Sequence, residues 1–152
     1  MTEGARASVV VAVPPARAFT LFTAGLGEWW PREYTWSQDV LEGIGIEPLA
    51  AGGLCVEHGP DGFTCHWGRV LAWEPPSRVV LAWQIAPSRA PEPNGEHAST
   101  VTVSFEAVDG GTRVVAMHAG FDRHGDGWEA YEAAMRSPQG WPYILQRYRS
   151  MT

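Results

Sequence analysis

No stretch of this chain is uniformly apolar for the ~18 residues a membrane-crossing helix needs. Its beginning, Met-Thr-Glu-Gly-Ala-Arg, lacks the basic segment and apolar run of a secretion signal, so a cytoplasmic location is expected. Positive charge is also scarce: 11 Lys and Arg stand against 17 Asp and Glu, for a net charge of −6, and no basic cluster stands out. That argues against nucleic acid as a partner, because phosphate neutralisation supplies most of such affinity. An anionic membrane surface is disfavoured for the same reason. Cysteine is limited to Cys55 and Cys65, placed symmetrically about Pro60 in an expected hairpin. Facing each other across two strands they would have the geometry of a disulfide, but a reducing cytosol favours free buried thiols. Repeats, heptads and low-complexity tails are absent. A single domain over residues 1–152 is the expectation, and a chain of this length buries about 70% of its unfolded surface without staples.

What the chain has in quantity is aromatic surface: eight Trp, five Phe and four Tyr. The densest stretch is 67–83, Trp-Gly-Arg-Val-Leu-Ala-Trp-Glu-Pro-Pro-Ser-Arg-Val-Val-Leu-Ala-Trp. Proline cannot donate to a sheet ladder, so Pro75 and Pro76 lie between two strands. Period two then puts Val79, Leu81, Trp83 and Ile85 on one face. A hairpin that buries large flat rings predicts a cupped aromatic interior.

Around it the elements read in order. Residues 7–13 form a first strand, and Pro15 opens a helix on which Phe19, Phe22 and Leu26 share a face until Gly25 and Gly27 break it. Strands follow at 41–48, 54–58, 63–73 and 79–85, with Gly-Pro-Asp-Gly turning the second into the third. Residues 86–98 hold three prolines and read as a long exposed loop. Two strands, 100–108 and 112–118, are joined at Asp109-Gly110-Gly111. The chain ends in helices. Asp126 with Glu129 suggests a capping box, Trp128, Tyr131 and Met135 mark one helical face, and Trp141, Ile144, Leu145 and Tyr148 mark another. Pro142 must fall in the first turn of the last helix. This order implies an α+β architecture, an antiparallel sheet curling around helix on one side. Such a curve leaves room for a concave, largely apolar cavity.

Several segments carry a family resemblance: Pro14-Pro15-Ala16-Arg17-Ala18-Phe19, Trp29-Trp30-Pro31, Trp67-Gly68-Arg69-Val70, and Trp73-Glu74-Pro75-Pro76-Ser77-Arg78 with Trp83. Gly111-Thr112-Arg113-Val114, His118-Ala119-Gly120-Phe121 and Gly140-Trp141-Pro142 complete the set. In these the chain resembles the START-like, or SRPBCC, superfamily, and within it bacterial relatives of the C-terminal domain of the heat-shock-protein-90 ATPase activator. The resemblance implies a helix-grip fold, a curved antiparallel sheet of about six or seven strands wrapped around a C-terminal helix. Members act as lipid carriers, hormone receptors, polyketide cyclases and co-chaperones, and the fold alone does not choose among them. The eukaryotic activator's separate chaperone-binding domain has no counterpart in 152 residues, so chaperone binding is not expected. The final helix also reads shorter than is usual in the superfamily.

Cys55, His58, Cys65 and His66 are zinc-favoured types on one hairpin, but period two points His66 away from Cys65, and no metal or cofactor is expected. The resemblance places His118 just before a Gly-Phe turn ending in Phe121, near the helix-facing side. There His118 is the candidate general acid/base or ligand-orienting group, and Phe121 a candidate ligand contact. No nucleophile motif accompanies it. His97 and His124 read as solvated loop residues, and Glu57, Glu74 and Glu106 as surface carboxylates. Trp30, Trp67, Trp83 and Trp141 are the expected cavity lining, with Tyr143 as a second orienting group, and Trp36 and Trp128 read as partly exposed. The expected function is to hold a small hydrophobic or amphipathic molecule between sheet and C-terminal helix. The alternatives are a cyclase-like or hydrolase-like enzyme using His118, and a stress- or chaperone-linked interaction module. Monomer and homodimer are both compatible with the pattern.

Overall fold

The computed structural model describes residues 4–152. Seven strands form one antiparallel sheet: β1 (Ala5–Val11), β2 (Gly43–Glu47), β3 (Leu54–His58), β4 (Thr64–Glu74), β5 (Arg78–Trp83), β6 (Ser99–Val108) and β7 (Gly111–Ala119). Their order across the sheet is β1-β7-β6-β5-β4-β3-β2. From β2 to β7 every strand pairs with its successor, and only β1 makes a long-range pairing, with Ala5 opposite His118 and Val11 opposite Thr112. The sheet curves around helices on one face, the α+β helix-grip arrangement.

Pro14 and Pro15 start α1 (Pro15–Thr23), and Gly25 ends it; α2 (Leu26–Trp29) is a single turn that brings Trp29 and Trp30 into the core. The C-terminal part is two helices, α3 (Trp128–Arg136) and α4 (Trp141–Ser150), with Pro142 in the first turn of α4. Between them Gly140 approaches the end of α3 so closely that a Cβ there would lie 2.1 Å from the Met135 carbonyl oxygen. That contact is open only to glycine, so it sets how sharply the helical layer bends.

The aromatic residues divide into two groups. Phe19, Phe22, Trp29, Trp73, Phe105 and Tyr148 pack edge to face or tilted, with ring centroids 4.9–5.8 Å apart, as a solid core under α1 and α4. Trp30, Trp67, Trp83 and Trp141 form the second group, at 5.1–6.5 Å. Trp29 and Trp30, 5.5 Å apart, join the two. The first group fills its space; in the second, Trp30, Trp67 and Trp83 border a void and Trp141 packs behind them.

Several sequence expectations are corrected. Asp126 does not cap α3: Gly127, in a left-handed conformation at φ +90°, holds that position without a side-chain bond. The two cysteines do not face each other, because Cys65 lies opposite Glu57 and Cys55 opposite Gly68. Both are free and buried. Burial pushes the Cys55 thiol up to about 12 and the Cys65 thiol up to about 11, the latter helped by the nearby Glu57 charge. Glu57 itself is fully buried and not a surface residue. Glu74 and Glu106 do lie on the surface, paired with Arg78 and Arg113.

Candidate functional site

A cavity of about 610 Å³ opens between the sheet and the α3–α4 joint. Its sheet wall comes from successive strands: Ile44 of β2, Glu57 of β3, Trp67 of β4 and Trp83 of β5, followed by Ile85. Trp30 enters from the end of α2, and Tyr131, Met135 and Ile144 face it from the helices. Tyr34, Trp36 and Arg89 stand at its mouth, all exposed to solvent.

Pairing geometry explains why these strands present these side chains. Glu57 and Cys65 are direct partners across β3 and β4, so they share a face. Two residues on, the register slips: Val56 pairs with His66 and Cys55 with Gly68, leaving Trp67 as the extra residue of a β-bulge. Bulges re-aim side chains at such places, and this one belongs to the cavity wall. Glu57 carries the signal that sequence reading missed: it shares parity with Cys55, and the 60–62 turn aligns it with Cys65 and Trp67.

The polar groups around the cavity are mostly satisfied. Trp83 Nε1 donates to the Tyr131 hydroxyl at 2.6 Å, which donates to the Ile85 carbonyl at 3.0 Å. Burial pushes the Tyr131 hydroxyl up to about 12, so it stays a donor at neutral pH. Thr35 donates to the Arg32 carbonyl and accepts from the Gln38 N–H. The Glu57 carboxylate accepts the backbone N–H of Trp36 at 3.1 Å and that of Ser37 at 2.7 Å. One group stands apart: Trp67 Nε1 is buried and, among the described residues, meets no acceptor.

The arc at the mouth is tied down by its own bonds. Trp36 Nε1 donates to the Arg89 carbonyl at 3.0 Å, and the Arg89 guanidinium lies 4.3 Å from the centre of the Tyr131 ring. Tyr34 donates to the Gln139 carbonyl at 2.6 Å, bridging to the α3–α4 joint.

Of the sequence-selected residues, Trp30, Trp67 and Trp83 stand on the cavity wall, while His118, Phe121, Trp141 and Tyr143 do not line it. Trp141 is the layer behind, 5.7 Å from Trp83. Phe121 is fully buried with its ring 4.0 Å from that of His118. Tyr143 lies outside, donating to Glu33; that bond holds the Glu33 carboxyl below the usual carboxylate range and raises the Tyr143 hydroxyl.

His118 is fully buried, with both ring nitrogens engaged. Trp141 Nε1 donates to its Nδ1 at 3.0 Å, and its Nε2 lies 2.6 Å from the Ser99 hydroxyl. An indole N–H only donates, so Nδ1 is the acceptor and the proton sits on Nε2. Ser99 then accepts from His118 and donates to His124 Nε2 at 2.7 Å. Hydrogen bonds therefore run one way, Trp141 to His118 to Ser99 to His124. Burial, and then the proximity of His124, holds the His118 pKa well below its ordinary 6.5. His124, expected to be solvated, is half-buried, and burial lowers its pKa too. This histidine pair is a neutral strut between β6, β7 and the start of α4, which its sequence position alone did not disclose. Among the described residues, no cluster of three or more His, Cys, Asp or Glu side chains is arranged to hold a metal ion, and no helix is long and apolar enough to cross a membrane.

Comparison with known proteins agrees with this architecture. Residues 12–150 match the family model described as activator of Hsp90 ATPase homolog 1-like protein. Among solved structures the chain is similar to an anthrahydroquino-gamma-pyrone synthase, Txn09, with 33% identity over 100% of both chains and a TM-score of 0.68. It is also similar to CalC, a self-sacrificing resistance protein from Micromonospora echinospora. There the identity is 27%, over 97% of this chain and 92% of that one, with a TM-score of 0.64. Protein MLL2253 from Mesorhizobium loti shares 17% identity over 97% and 94% of the two chains, with a TM-score of 0.63, a likeness of fold alone. No curated protein matches the chain at a significant level.

Proposed function

The chain belongs to the activator of Hsp90 ATPase homolog 1-like family, and from that premise we propose that it binds a small, flat, apolar or amphipathic molecule in the cavity between sheet and C-terminal helices. The carrying observation is the cavity itself, about 610 Å³ with Trp30, Trp67, Trp83 and Tyr131 on its wall. That volume lies within the roughly 300–1,000 Å³ typical of small-molecule sites. Rings on opposite walls favour a planar occupant, since offset and edge-on contacts between flat groups add to the burial of apolar area. An interaction module would call for an exposed apolar patch of several hundred Å² in place of an enclosed cavity, and the cavity weighs against that reading.

Native mass spectrometry of gently purified protein, followed by solvent extraction, tests the proposal. A discrete small-molecule adduct is expected, and it should vanish in Ala134→Phe, which places a ring in the cavity. A bare protein mass, with no thermal shift from any planar polycyclic compound, would retire the proposal.

A second reading, ring-closing catalysis on such a molecule, is favoured by the full-length likeness to a synthase. In that case the acid/base group is Glu57 on the wall and not His118 behind it. Incubating the extracted molecule with fresh protein should yield a distinct product, and Glu57→Gln should arrest its formation. Recovery of the molecule unchanged from wild-type protein would leave binding as the whole activity.

A further inference from the structure

Resting on the binding proposal, we infer that the occupant is a flat acid, its ring inside the cavity and its carboxylate held at the mouth by Arg89. Among the described residues Arg89 is the only basic side chain on the cavity lining, and it is exposed to solvent. Its guanidinium carbon lies 4.3 Å from the centre of the Tyr131 ring, which lines the same cavity. A guanidinium has five N–H donors, and among the described residues one is spent, from Nη1 to the Pro87 carbonyl at 2.6 Å. Unlike Arg78, Arg113 and Arg136, Arg89 makes no ion pair with these residues.

The backbone fixes where this side chain starts. Arg89 is left-handed at φ +75°, a costly conformation for a residue with a Cβ. Its N–H donates to the Ala86 carbonyl at 2.8 Å, and its carbonyl accepts Trp36 Nε1 at 3.0 Å. Strain fastened in this way persists where a side chain has to be aimed. The described chain has three non-glycine residues at positive φ. Asp61 turns β3 into β4, whereas Gln38 and Arg89 both line the cavity.

The charges of the site select the group Arg89 holds. A guanidinium only donates and stays charged, so its partner is an acceptor, and a carboxylate meets two of its N–H groups at once. The two carboxylates of the cavity lining are committed elsewhere: Glu33 accepts from Tyr143 of α4, and Glu57 from the Trp36 and Ser37 N–H groups. Glu57 is fully buried in the inner wall, so an acid seated deep would face like charge, whereas one at the mouth meets Arg89. An ammonium would meet repulsion from Arg89 there. The net charge of −6 works against any anion at long range, so a preference for one has to come from local contact.

Binding of 1-pyrenecarboxylate, pyrene and 1-pyrenemethylamine, followed by quenching of tryptophan fluorescence at pH 7, tests this. Arg89→Gln should weaken carboxylate binding about five- to tenfold, the worth of a charge-assisted bond at a partly solvated site. Pyrene binding should be unchanged in this variant, and amine binding should hold or improve. Arg89→Lys keeps the charge without the fork and should recover part of the loss. Added salt should weaken carboxylate binding to wild-type protein and leave it unaltered in Arg89→Gln. An equal loss for all three compounds would make Arg89 a packing residue, overturning the acid inference and leaving the binding proposal standing. Unchanged carboxylate affinity in Arg89→Gln, or pyrene binding without carboxylate binding, would do the same. If wild-type protein binds none of the three, both proposals fall.

Discussion

At the scale of the residue, buried polar groups separate those that hold the fold from those left open. His118 has two partners and is held neutral by burial. Its linkage to stability has a definite sign. The unfolded histidine takes up a proton below its ordinary 6.5, whereas the folded one, with a far lower pKa, does not. Stability is therefore full above pH 6.5 and is lost as pH falls toward the folded value, by up to about 1.4 kcal/mol per pH unit for one such group. Urea unfolding at pH 7.5 and 5.5 should show this loss, and His118→Gln should flatten it, leaving only the smaller contribution of His124. An identical slope in wild type and variant would mean that His118 is not held neutral. Trp67 and Trp83 make the complementary comparison. Trp83 donates to Tyr131, and the Trp67 N–H has no partner among the described residues. Trp83→Phe should therefore be more destabilising than Trp67→Phe by about 1 kcal/mol, the net worth of one hydrogen bond. Equal losses in chemical denaturation would show that the Trp67 N–H is satisfied after all.

Elements were legible to the extent that their periodicity was local. The β4–β5 hairpin is readable from Pro75 and Pro76 and from alternating Val79, Leu81 and Trp83, because proline and period two are properties of a few neighbouring residues. The bulge at Trp67 was not, since it depends on how β3 and β4 register, which no single strand records. The same holds at the C-terminus: two helical faces were readable, but the bend between them depends on Gly140 meeting the Met135 carbonyl. Gly140→Ala forces that contact apart and should cost about 1–3 kcal/mol, as overpacking does. It should also weaken any ligand binding, because the joint is part of the cavity wall. Unchanged unfolding midpoints would show that the joint adjusts without strain.

For the whole molecule, the division of the aromatic residues matters more than their number. Phe22 lies in the solid group, touching Trp29, Phe105 and Tyr148. Phe22→Ala should cost about 3–5 kcal/mol, the range for removing a large ring from a packed core. Trp30 stands at the border of the void, so Trp30→Phe should cost well under that while changing which ligands bind. If thermal melts showed equal losses for the two variants, the cavity side would be as tightly packed as the solid side, contrary to the structure.

The amino-acid order by itself determined the α+β class, the strand sequence, the proline-started helices and the fact that large rings would be buried. Each follows from alternation, turn chemistry or side-chain size over short stretches. It also carried the family resemblance, whose segments run the length of the chain. Tertiary structure alone decided that Glu57 is buried on the cavity wall, that His118 stands behind that wall with both nitrogens occupied, and that the Trp67 N–H meets no acceptor among the described residues. Burial and hydrogen-bond satisfaction are relations among residues distant in sequence. They come into being only when the register of β3 on β4 and the bend between α3 and α4 bring those residues together.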